Sequence, residues 1–168
     1  EEQAKARQTI LAALPNTSPK AIPILLGAFP VLKPDKEEQA KARQTILRKL
    51  PNADPREISN LLGAFPALEP DDEERAEARQ TILAALPNAD PFTVVDLLRL
   101  LCRLSELEPS NEERTKARQV IITTLSKTKV IGIHFLTREL RALGATDDEW
   151  TEVRQTILRK LPNADPRE

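Results

Sequence analysis

The chain has one cysteine, no tyrosine and only four glycines in 168 residues, and aromatic residues make up 3% of it. Each scarcity excludes something. A lone thiol, Cys102, cannot close an internal disulfide framework, and it agrees with a reducing compartment, so a cytoplasmic location is expected. Glycines at 27, 63, 132 and 144 are too widely spaced for a Gly-x-Gly-x-x-Gly turn or a phosphate-binding loop. Few aromatics beside fourteen prolines argue against a β-sandwich and for helices punctuated by proline. Basic and acidic residues number 25 and 26, a net charge of −1, which gives no overall field to draw in nucleic acid or an anionic membrane. The longest apolar stretches, such as AIPILLGAFPVL, are short and broken by proline, so no membrane-spanning role is expected. The chain opens on EEQAKARQTI, charged from the start, and no signal peptide is expected.

What the chain has in abundance is repetition. The dipeptide Arg-Gln ends at Gln8, Gln44, Gln80, Gln119 and Gln155, at intervals of 36, 36, 39 and 36 residues. The longer interval arises where LLRLLCRLSELEP replaces LLGAFPALEP, an insertion of nearly one helical turn. Units are therefore expected over residues 1–34, 35–70, 71–109, 110–145 and, in part, 146–168. The phrase ARQTILRKLPNADPRE recurs at the very end of the chain with Val153 in place of the first alanine, which leads us to expect a slice of a longer array.

Each unit reads as two helices. In the second unit, Ala42, Ile46, Leu47 and Leu50 recur at helical spacing with charge on the other face. Capping boxes mark the starts of such first helices at Asp35/Glu38, Asp71/Glu74, Ser110/Glu113 and Thr146/Glu149. The LPN phrase ends them, because proline disfavours helix at the residue before it. The second helix opens at Asp54, with Pro55 in the first helical position and Glu57 closing the box; its apolar stripe is Ile58, Leu61, Leu62 and Phe65. GAFP stops this helix in the first two units. In the third it is expected to run to about Leu107, and in the fourth to end with Gly144 as its cap. A two-helix unit cannot bury both stripes alone, so the expected fold is all-α: an α-solenoid of stacked two-helix repeats of about 36 residues.

Phrases such as EERAEARQTILAALPNADP resemble helix-turn-helix solenoids of the HEAT, armadillo and tetratricopeptide kind over the whole chain. They are also similar to near-identical tandem repeats of actinobacterial signalling proteins, often sensor arrays on multidomain ATPases. The tetratricopeptide signature is absent, HEAT units usually run longer, and no nucleotide-binding motif of such an ATPase is present. The resemblance implies a right-handed stack of helical hairpins.

No catalytic constellation emerges, and we expect no enzymatic activity, no small-molecule substrate and no cofactor. One cysteine and one histidine, Cys102 and His134, cannot build a zinc site without many carboxylates, so no metal site is expected. Cys102, next to Leu101 in the apolar column, reads as a core residue, His134 as a surface or interface side chain, and Trp150 as a packing or capping residue. Acid pairs such as Glu37–Glu38 and Asp71–Asp72 are explained by helix starts. Arg7, Arg43, Arg79, Arg118 and Arg154 form a column that could line a nucleic-acid groove, although a structural role is favoured.

Function is expected where the copies differ. The second helices keep a buried stripe (Ile22, Ile58, Val94, Ile133; Leu25, Leu61, Leu97, Leu136) while their other positions diverge, Gly132 among them. We expect this varied face to recognise a protein or peptide through Arg56, Asn60, Phe92, Val95, Asp96, Ile131, His134 and Phe135. The alternatives are a nucleic-acid-binding solenoid using the arginine column, or a purely architectural or engineered array whose open ends associate head to tail.

Overall fold

The computed structural model describes residues 1–104 and 109–160, with the backbone alone at residues 130 and 131. Among these residues the chain is all-helical and has no strand. The helices are α1 (Glu2–Ala13), α2 (Ile22–Gly27), α3 (Lys36–Lys49), α4 (Pro55–Gly63) and α5 (Asp72–Ala85), then α6 (Pro91–Leu104), α7 (Asn111–Lys127), α8 (Val130–Ala142) and α9 (Asp147–Lys160). No helix among the described residues is long and apolar enough to cross a membrane.

Local chemistry sets the boundaries. Asp35, Asp54, Asp71 and Ser110 each accept the backbone N–H three residues on, while the glutamate there accepts the cap's own N–H, completing reciprocal boxes. Thr146 and Glu149 form the same pair at the start of α9, at 2.7 and 3.3 Å. The LPN phrases tighten into 3-10 turns at Leu14–Asn16, Leu50–Asn52 and Leu86–Asn88, and the residue after each turn becomes extended. In α7 the corresponding phrase is LSK. With no proline to stop it, the helix continues to Lys127.

The second helices end differently. Helices α2 and α4 stop at Gly27 and Gly63, and 3-10 turns at Pro30–Leu32 and Phe65–Leu68 follow. Lys33 and Glu69 then take left-handed backbone, both with φ of 52°. Gly144 holds the corresponding position after α8 with φ of 69°, the conformation its missing Cβ allows. The expected extension of α6 toward Leu107 falls on residues 105–108, outside the described residues.

The core is one continuous apolar cluster. From the first helices come Ala42, Ile46, Ala78, Ile82, Ala117 and Ile121; from the second, Ile22, Ile58, Leu61, Val94, Leu97 and Leu136. Phe29, just before its 3-10 turn, and Phe65, at the start of its own, are fully buried, and Ile133 and Leu25 pack partly buried against the cluster. Helix α4 lies between α2 and α6, and α6 also meets α8, so the second helices form a row; α7 packs against both α5 and α9. Trp150 packs on the core beneath the Arg141 guanidinium, 5.9 Å from its ring centre, as its packing role requires.

Candidate functional site

Four members of the arginine column are engaged between helices of the molecule. Arg7 Nε donates to Glu38 at 2.6 Å, Arg43 donates to Glu74, Arg79 to Glu113 at 3.1 Å and Arg118 to Glu149 at 2.9 Å. Each acceptor is the capping-box glutamate of the following first helix. Three of these arginines also donate to the carbonyl that ends the intervening second helix or its 3-10 turn, at Leu32, Leu68 and Leu143. A single carboxylate thus caps its own helix and fastens it to the helix before, in pairs whose side chains are 12–26% exposed. Glu149 illustrates the balance. Its burial would raise its pKa, but hydrogen bonds from Thr146 and Arg118 and the Arg118 charge hold it below the ordinary carboxylate value. These partners lie 31 residues apart in sequence, or 34 across the insertion, a constant offset that was available in the repeat but joins groups on different units. Arg154 lies exposed on α9, where its guanidinium donates to Thr151.

The divergent positions come together on the second-helix row. Arg56, Ser59 and Asn60 from α4 face Asp90, Phe92, Thr93 and Asp96 at the start of α6 across a groove of about 420 Å3. Asp90 organises its floor. Its carboxylate accepts from the backbone N–H groups of Phe92 and Thr93, at 3.0 and 3.2 Å, and from the Thr93 hydroxyl. Burial would raise the Asp90 pKa, but these bonds and the nearby charge of Arg56 lower it, so the group carries negative charge at neutral pH. The groove therefore sets a cation and two carboxylates beside the Phe92 ring, which is 59% exposed.

Beyond Phe92 the surface turns aromatic. The Phe135 ring lies 6.3 Å from that of Phe92, and His134 meets Phe135 edge-on at 5.6 Å. Phe135 is partly buried against the core, and His134 is exposed. Arg99 spans the neighbouring rim, its guanidinium 3.8 Å from Asp96 and 3.7 Å from Glu139.

Arg56, Asn60, Phe92, Asp96, His134 and Phe135 thus fall on one continuous strip. Val95 does not. It is 5% exposed, because α6 is enclosed by α4, α5, α7 and α8 and buries Thr93, Val94 and Val95 in succession. The side chain of Ile131 lies outside the described residues, although its backbone belongs to α8. Gly132, one of the divergent positions assigned to the varied face, is buried against Thr128. Cys102 corrects the expectation in the opposite sense: it is exposed near the end of α6. Local desolvation raises the thiol pKa, the Glu139 charge adds to this and Arg114 opposes it, so a reactive thiolate is disfavoured. No group of three metal-ligating side chains exists among the described residues. Searches for related proteins return no match to any protein family, curated protein or solved structure.

Proposed function

We propose that the chain is a solenoid of two-helix repeats that serves as a non-catalytic scaffold, recognising a protein or peptide segment along the α4–α6–α8 strip. One observation carries the reading: six residues at positions where the second and third sequence units diverge, Arg56, Ser59, Asn60, Phe92, Thr93 and Asp96, line a single groove, and that groove joins an exposed aromatic ring to opposite charges. A large ring of low conformational entropy beside paired charges is the composition that anchors protein contacts. The solenoid reading is supported by the arginine–glutamate pair, which recurs from one sequence unit to the next with the same partners. Because these pairs occupy four of the five column arginines, the nucleic-acid reading loses the free cations it requires.

Selection of a random peptide library on the immobilised chain, with counter-selection on a Phe92→Ala/Arg56→Glu variant, tests the proposal. Enriched peptides should bind the parent, perturb amide resonances of Asn60, Phe92, Asp96 and Phe135, and lose at least about tenfold in affinity on the variant, the loss expected of an interface anchor. Peptides that bind parent and variant equally would place recognition elsewhere.

A further inference from the structure

A second cleft lies on the first-helix side, and comparison between units tells what it lacks. At the junction of the first two units, the Lys49 ammonium on α3 donates to the carbonyls of Pro15 and Thr17, at 2.8 and 3.1 Å, capping the preceding LPN turn. Lys160 on α9 repeats the bond to the Thr128 carbonyl at 2.7 Å. At the junction of the third and fourth units, the corresponding residue on α7 is Thr124. The turn it faces keeps its shape: Thr17 has φ −79° and ψ 137°, its counterpart Ala89 has φ −84° and ψ 148°. A threonine is too short to reach those carbonyls. Where Thr45, Arg48 and Lys49 leave a cleft of about 160 Å3, Val120, Thr123 and Thr124 leave one of about 320 Å3.

The lining of the larger cleft defines an occupant. Pro87, Ala89, Pro91 and Val120 offer apolar walls for a short alkyl stem. Lys127, one turn beyond Thr124 on the same helix, stands exposed at the rim and repels a bare cation while attracting a carboxylate. We propose that this cleft binds an ω-ammonium carboxylate: a primary ammonium takes the place that Lys49 fills elsewhere, its alkyl stem lies along Val120, and its carboxylate meets Lys127. The free form of that chemistry is a linear amino acid. Its peptide form is a C-terminal lysine.

Titration of the whole chain with 6-aminohexanoate, followed by amide resonances and by thermal unfolding, tests the site. A ligand this small should bind with a Kd on the order of millimolar, shift Ala89, Gln119, Thr123 and Thr124, and raise the melting temperature. Hexanoate, which lacks the ammonium, should do neither. Thr124→Lys should raise the melting temperature by itself and weaken binding at least about tenfold, as loss of charge-assisted hydrogen bonds would. Thr123→Arg fills the cleft from a second position, should Thr124→Lys fail to fold. A short peptide ending in lysine that binds more tightly than 6-aminohexanoate identifies a peptide terminus as the source, and weaker binding identifies the free amino acid. Absence of saturable shifts, equal shifts with hexanoate, or undiminished binding in the filled variant would overturn the proposal, and none of these outcomes bears on the α4–α6–α8 strip.

Discussion

Helices α3 and α4 and helices α7 and α8 solve the same junction with different parts. In both, an arginine on the first helix holds the next capping glutamate and the carbonyl closing the second helix: Arg43 with Glu74 and Leu68, Arg118 with Glu149 and Leu143. Around that constant, α4 has nine residues and closes through a proline-containing 3-10 turn, whereas α8 has thirteen and closes through Gly144. The junction therefore tolerates different second helices so long as the pair and its carbonyl stay in place. Sequence freedom collects on the second-helix row, where the candidate site lies.

This comparison is most strongly broken where core volume differs. Phe65 is fully buried at a position that Leu101 and Leu140 occupy in later units, so Phe65→Ala should cost about 3–5 kcal/mol in urea unfolding. A loss below about 1 kcal/mol would mean that the α4 turn is not part of the cooperative core. In the later half, the start of α8 packs closely on the end of α7. A Cβ added at Gly132 would stand 2.2 Å from Thr128 Cγ2, and Gly132→Ala should destabilise by about 1–3 kcal/mol through overpacking. Unfolding of this variant at the parental denaturant midpoint would refute tight packing between α7 and α8.

The junction itself makes stability depend on pH. The Glu149 pKa is lowered by folding, so its contribution is present above the ordinary glutamate value and is lost as pH falls through the folded value. Glu149→Gln should be less stable than the parent at neutral pH, and the two curves should converge in acid. Parallel curves would mean that the Arg118 pair contributes nothing. The smallest effect is expected at the left-handed positions, where Glu69→Gly should stabilise by about 0.5–1 kcal/mol by relieving the steric cost of φ 52°. The same change at Gly144 has already been made by the sequence.

Much of this architecture was legible because it is local. Caps at Asp35, Asp54, Asp71 and Ser110 and the stops at LPN depend on residues within one turn, and period 3.6 marked the buried stripes. The arginine–glutamate pair was missed for the opposite reason: its partners are on different units, 31 or 34 residues apart. Val95 was misplaced because α6 is surrounded on more sides than a two-faced helix, and Cys102 because one step along a helix from buried Leu101 turns a side chain outward. At the site, divergence between units identified Arg56, Asn60, Phe92 and Asp96. It said nothing of Asp90, which is shared by the second and third units and orders the groove through backbone bonds.

On the proposed reading, the junction arginines support the fold while the second-helix strip recognises a partner. Its most direct test is the affinity of a library-selected peptide for two variants, Arg43→Ala and Phe92→Ala, each measured well below its own melting temperature. We expect Arg43→Ala to lose about 2 kcal/mol of stability yet bind as the parent does, and Phe92→Ala to keep its stability but lose at least about tenfold in affinity. Binding lost in Arg43→Ala and retained in Phe92→Ala would contradict the account.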